Sequence, residues 1–335
     1  MGCLTLPAAN PLQGYHVGME DSITLRFLAA PGDVAADGTT VQAGRVLEWI
    51  DKAGYACAVG YSGGYCVTAY VGNVHFTRPI RNGDLIEVKA RIAHTGRSSM
   101  QVVITVDAAD VRSRQFKPAM DCILVFVAVD EDGRPRSVPA WTPTDEASER
   151  LARGIAGRVE ARREIRDIMR AQEYTDAGTT PAERFRFLAA PGDVNWGGNA
   201  HGGIVMRWID EVARACAMGW CGADAVAVYS GGIHFLSPIH IGDLVDLSAR
   251  MIHTGPHSMH IAVHVRARDP RGGEWRDTAQ CMTVFVTRNQ DGHAAEVPQL
   301  ALRTDEDRRL DAHALDLVRR RAALPALEFD VERTY

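Results

Sequence analysis

Residues 191–210 read PGDVNWGGNAHGGIVMRWID. A turn-prone Pro191-Gly192-Asp193 comes first, then Asn195, then a loop carrying Gly197, Gly198, Gly202 and Gly203. An apolar run follows. Val205, Trp208, Ile209, Val212 and Cys216 recur at the spacing of one helix face. Paired glycines ahead of a helix let another backbone or a ligand come close. The free N–H groups of the first helical turn then point towards it. Glycines alone also fit an ordinary flexible helix start. Asp210 argues for more, because an aspartate among Trp208, Ile209 and Val212 is a weak helix former and is costly to bury unpartnered.

The stretch occurs earlier in degraded form. Residues 31–51 read PGDVAADGTTVQAGRVLEWID. Pro31 to Val34 repeats Pro191 to Val194 at an offset of 160, and Trp49-Ile50-Asp51 repeats Trp208-Ile209-Asp210 at an offset of 159. The glycine loops therefore differ by one residue. Ala35 stands where the later copy has Asn195, and Gln42-Ala43-Gly44 answers His201-Gly202-Gly203. The correspondence continues outward. His75-Phe76 is matched by His234-Phe235, Gly83-Asp84 by Gly242-Asp243, and His94-Thr95-Gly96 by His253-Thr254-Gly255. A period this long is a duplicated domain and not a solenoid unit.

Reading outward assigns five segments. Residues 1–21 form an arm, 22–141 a first domain, 142–181 a helical linker, 182–299 a second domain and 300–335 a charged tail with a helix over 305–321. Within the first domain a strand over 22–28 precedes the helix, which runs to about Val59. Strands follow over 66–76, 84–95, 99–107 and 119–129. One long helix followed by long antiparallel strands is an α+β pattern. The linker is rich in Ala, Arg and Glu, and its charge run reads as a solvated helix face lying across both domains.

Composition narrows the function. The net charge of −5 over 335 residues argues against a nucleic-acid partner. No apolar run is long enough for a membrane span. Residues 1–14 lack a basic start and a long apolar core, so a secretory signal is not expected and a cytoplasmic location is. The seven cysteines include no Cys-x-x-Cys pair and read as core thiols. The histidines are not set at metal-ligand spacing, so no metal is expected.

Asn195, the glycines, His201-Gly202-Gly203, Trp208-Ile209-Asp210, the His-Phe-x-x-Pro strand ends, Gly-Asp-Leu and Thr-Gly-x-x-Ser-Met occur in order and largely twice. Together they resemble the acyl-CoA thioesterase family of the hotdog fold, over about 22–140 and 182–298. The resemblance implies two tandem hotdog domains, each a long central helix wrapped by an antiparallel β-sheet, with active sites between them. It implies an acyl-CoA substrate, no cofactor beyond the coenzyme A of that substrate, and homo-oligomers, trimers among them. It also implies roles. A helix aspartate acts as base or nucleophile, a loop asparagine from the other hotdog positions water or substrate, and backbone N–H groups at the glycine-rich helix start form the oxyanion hole.

Carried over, one site is complete: Asp51 facing Asn195, Gly202 and Gly203. The other pairs Asp210 with Ala35 and Ala43, with Asp37 as a weak substitute for the missing asparagine. One competent site per chain is expected. His201 reads either as a contact to the acyl group or carbonyl, or as structural. His75 and His234 read as core-edge residues. Arg97, Ser98, Ser99, Arg78 and Ser258 are candidates for the coenzyme A phosphates, set against solvated surface residues. Other readings are a non-catalytic acyl-CoA-binding or regulatory protein, an enoyl-CoA hydratase or dehydratase, and a structural assembly protein. Hydratases use a His or a His–Asp pair at the helix, whereas here the helix carries only Asp.

Overall fold

The structure is a computed structural model that describes residues 20–324 and 327. The expected arm over 1–21 and the end of the tail therefore lie almost wholly outside the described residues. In the first repeat, β1 (Ser22–Leu28) precedes α1 (Ala43–Ser62), then β2 (Cys66–Val71), β3 (Val74–His75), β4 (Asp84–Thr95), β5 (Ser99–Asp110) and β6 (Lys117–Ala128). Two linker helices follow, α2 (Glu146–Gly157) and α3 (Val159–Arg170). The second repeat is β7 (Ala182–Leu188), α4 (Gly202–Cys221), β8 (Ala225–Phe235), β9 (Leu244–Thr254), β10 (Met259–Arg268) and β11 (Arg276–Thr287), and α5 (Asp305–Ala322) is the last helix among the described residues.

The fold is α+β, with both long helices held against antiparallel strands. Each buries an apolar face: Leu47, Ile50, Ala53, Cys57 and Ala58 on α1, Val205, Ile209, Val212, Ala213 and Cys216 on α4. The six cysteines among the described residues are free thiols. Burial pushes the Cys57 and Cys216 thiols up to about 12, which keeps them protonated and inert.

The two sheets fuse. The order β1-β4-β5-β6-β2-β8-β11-β10-β9-β7 is continuous, and β2 joins β8 through only two register pairs, Tyr70↔His234 and Val71↔Ile233. The strand expected over 66–76 is broken: after Val71 the Gly72 N–H bonds to Ile123 O, and β3 leaves for β8. In the second repeat the equivalent β8 is unbroken. Bulges slip the register between Thr68 and Tyr70, and at the equivalent place opposite Val284 and Phe285. A bulge turns the next side chain to the other face. Thr68 accordingly meets α1, while Tyr70 lies under the Arg162 guanidinium of α3 at 5.0 Å.

The linker is helical and packs on both repeats. It is two helices, broken at Arg158, and each is clamped to the sheet. Leu151 and Ile155 of α2 pack on Ala93 and Val103 of the first repeat. Ile165 and Met169 of α3 join Ile252, Ala262 and Met282 of the second. Each such burial contributes ~1.5–3 kcal/mol, while Glu146, Arg153, Glu160 and Arg163 stay exposed.

Candidate active site

The helices α1 and α4 cross at their N-terminal turns, where glycine permits the approach. A Cβ on Gly203 would stand 2.8 Å from Glu48 Cα and 3.1 Å from Asp51 Cβ; one on Gly44 would stand 2.9 Å from Arg207 Cα and 3.1 Å from Asp210 Cβ. Each helix thereby brings its aspartate to the start of the other. The Gly203 N–H donates to Asp51 Oδ2 at 2.7 Å, and the Gly44 N–H donates to Asp210 Oδ2 at 3.0 Å. The aspartates are only 1% and 6% exposed.

Around Asp51 the partners accumulate. Thr68 Oγ1 donates to its Oδ1 at 2.8 Å. His201 Nδ1 lies 2.9 Å from its Oδ2 and 3.1 Å from Gly203 N. The Gly203 N–H takes the shorter path to the carboxylate, which assigns the Nδ1 proton to Asp51 as well. Burial alone would lower the His201 pKa, but its hydrogen bond to the Asp51 carboxylate and that carboxylate's charge outweigh it and raise the pKa.

Asp51, Asn195, His201, Gly202 and Thr68 share one cleft of about 270 Å³, walled by Val205, Phe235 and Ile239. Asn195 Oδ1 accepts from Gly197 N at 2.8 Å and Asn199 N at 3.1 Å, and Tyr65 lines the same cleft. With the Gly203 N–H spent on Asp51, the Gly202 N–H is the first-turn donor without a partner among the described residues. Of the two glycines expected to serve an oxyanion, Gly202 is therefore the one whose N–H is left open at the helix start.

The second cleft holds Asp210 with Ala35, Ala43 and Arg78, and encloses only about 70 Å³. Arg78, Arg214 and Arg288 line it where the first cleft has Ser237, Tyr55 and Val129. Asp37 does not complete it, because its Oδ1 is turned onto Thr39 N and Thr40 N of its own loop. The phosphate candidates scatter. Arg97 and Ser99 border a groove on the other face of the sheet, Arg78 sits in the second cleft, and Ser258 Oγ pairs with His260 Nε2 at 3.2 Å. Ser98 lines none of these pockets. Of the strand-end histidines, His234 is buried against Tyr70, and His75 lies exposed against Tyr229.

Thr68 escaped the sequence reading, although the repeat carries its signal: the position 159 residues on is Ala227. Thr68→Val should lower turnover by about tenfold or more by leaving Asp51 Oδ1 unsatisfied, and Thr68→Ser should restore it. Steady-state kinetics on both variants check this. Trp196 escaped too. It is 81% exposed and stacks on Tyr55 at the cleft, 5.1 Å between centroids.

Asp210 gives a pH-dependent result. Burial pushes its pKa up to about 6, only partly opposed by the Gly44 N–H. A carboxyl that holds its proton more tightly folded than unfolded contributes most below the unfolded pKa of about 4, and stability falls as pH rises through 6. Above pH 6 the buried charge costs on the order of 2–3 kcal/mol. Asp210→Asn should therefore melt higher than the wild type at pH 8, and the gain should shrink at pH 5.

Comparison with known proteins follows the same lines. Residues 38–114 and 197–274 match the sequence model of the thioesterase superfamily. Acyl-coenzyme A thioesterase 11 of Mus musculus is 27% identical over 282 residues, which is 79% of this chain and 47% of the mouse protein; the chain spans about half of that relative. Protein VdlD of Helicobacter pylori is 31% identical over 140 residues, 42% of this chain and 79% of VdlD. A Lactobacillus plantarum structure named as an oleoyl thioesterase superposes with a TM-score of 0.56 at 9% identity, over 79% of this chain and 96% of its own, a likeness of fold alone.

Proposed function

We propose that this chain, which belongs to the thioesterase superfamily in two tandem copies, hydrolyses an acyl-CoA to a free acid and coenzyme A at one site between its repeats. The observation that carries the reading is the Asp51 carboxylate of the first repeat, hydrogen-bonded to the Gly203 N–H of the second inside the larger cleft. Asp51 takes a proton from the attacking water, and the Asn195 amide orients that water. The Gly202 N–H bears the charge that develops on the carbonyl oxygen. The coenzyme A thiolate then leaves. Thr68 and His201 hold the carboxylate in place. Single turnover in heavy-oxygen water should label the product acid and leave Asp51 unlabelled; label in Asp51 would make it the nucleophile.

The test of the function is thiol release from a panel of short to long acyl-CoAs, with aryl and hydroxy esters included. Tight ester binding without thiol release would favour the non-catalytic binding protein. One observation favours a second reading. Hydratases use a His–Asp pair, and although the helix itself carries only Asp, His201 meets Asp51 across the interface. Hydration of an enoyl-CoA without thiol release would support that reading. Assembly into trimers belongs to the proposal as well. Light scattering of the full chain reads the copy number.

A further inference from the structure

On the face of the sheet opposite α1 and α4 runs a groove of about 580 Å³. Arg97 and Ser99 of the first repeat border it on one side, and Arg162, Arg163, Arg166 and Arg170 of the linker helix α3 on the other. None of the described residues lining it is an aspartate or glutamate. This is unexpected in a chain of net charge −5. Arg163 and Arg166 are partly compensated by Glu160 at 3.6 Å and Asp167 at 2.9 Å on their own helix. Arg162 lies over Tyr70 and donates to Gln101 Oε1 at 3.3 Å. Neither Arg97 nor Arg170 has an ion-pair partner among the described residues. Guanidinium groups gathered this way repel one another unless an anion joins them, and their planar forks suit phosphate oxygens.

The groove and the cleft lie back to back across the sheet. Ala69, Phe235 and Leu236 line both. They flank the end of the short β2–β8 ladder, which pairs only at Tyr70 and Val71, so the sheet parts just beyond it. The second repeat is less basic: Arg321 of α5 lies over Tyr229 as Arg162 lies over Tyr70, but Pro256 stands where the first repeat has Arg97. His253, equivalent to His94 at the groove, meets the Asp311 carboxylate of α5 at 2.7 Å. The more basic groove therefore accompanies the larger cleft.

We propose that the arginine face of α3, together with Arg97, binds the phosphates of the coenzyme A nucleotide, with the pantetheine arm passing between Ala69 and Phe235 to bring the thioester to Asp51. This rests on the thioesterase reading above. The linker then acts as a substrate-binding element as well as a tether.

The experiment compares an acyl-CoA with the same acyl group on pantetheine, which lacks the nucleotide. In Arg97→Glu and Arg170→Glu, the ratio of kcat/KM for acyl-CoA over acyl-pantetheine should fall on the order of tenfold or more, through KM. An unchanged ratio in both variants, or an equal loss on both substrates, overturns the proposal. Calorimetric titration of coenzyme A itself separates the two readings. If the wild type releases thiol from no ester, the thioesterase reading fails, and the phosphate site still stands or falls on whether the variants weaken coenzyme A by the same factor. Arg170→Gln, which removes the charge without reversing it at the helix end, should give a smaller loss in the same direction; no loss there and in Arg97→Glu contradicts the site.

Discussion

Asp51→Asn removes thioester hydrolysis, with turnover expected to fall on the order of 10³-fold, while Asp210→Asn leaves it unchanged. Asparagine keeps the shape of the side chain, and its oxygen still accepts from a donor such as the Gly203 N–H. What it loses is the ability to take a proton from water. The two aspartates are near equivalents in sequence and burial, so burial alone would predict equal effects. The surroundings separate them. Asp51 has Thr68 and His201 beside it and Asn195 across the cleft. Asp210 has Ala227 and Ala35 at the matching places, within a space crowded by Arg78, Arg214 and Arg288. Thiol release measured on both variants checks the asymmetry; loss of turnover in Asp210→Asn with Asp51→Asn intact would reverse the assignment.

Gly203→Ala carries the second large effect. Its new methyl would meet Glu48 Cα at 2.8 Å and Glu48 O at 3.2 Å, which are backbone atoms that cannot rotate away. The helices must separate, at a cost of ~1–3 kcal/mol. The N–H that holds Asp51 moves with them, and a misplaced catalytic group costs about 10²-fold in turnover. Gly44→Ala is the built-in control. Its methyl meets Arg207 Cα at 2.9 Å, so the loss of stability should match. Because Gly44 holds Asp210 and not Asp51, turnover in the folded protein should survive. Thermal melts and kinetics on the pair check both halves; equal loss of turnover would mean that the helix crossing as a whole, and not Asp51 alone, sets the activity.

Much of this was legible in the sequence because the chain carries its own comparison. The two offsets locate the glycine loops, both central helices and both aspartates, and the change of Asn195 to Ala35 shows that the sites are unequal. Thr68 was legible by the same device, through Ala227, but alternation in its strand made it look like one more half-buried position. The bulge that turns Thr68 and Tyr70 to opposite faces has no local sequence signal, because it depends on pairing with β6. The break after Val71 was hidden for a related reason: Gly72 finds its partner in Ile123, far along the chain. The arginines of the linker read as a solvated charge run, since nothing in their spacing reveals that α3 lies beside the gap between β2 and β8. The same limit applied to His201, whose partner Asp51 is 150 residues away.

The central claim is one working site per chain, built from both repeats. Calorimetric titration with a non-hydrolysable thioether analogue of a hydrolysed acyl-CoA tests it most directly. The account predicts one equivalent bound per chain, with that binding weakened by Arg97→Glu and untouched by Asp210→Asn. Two equivalents of equal affinity per chain would contradict it.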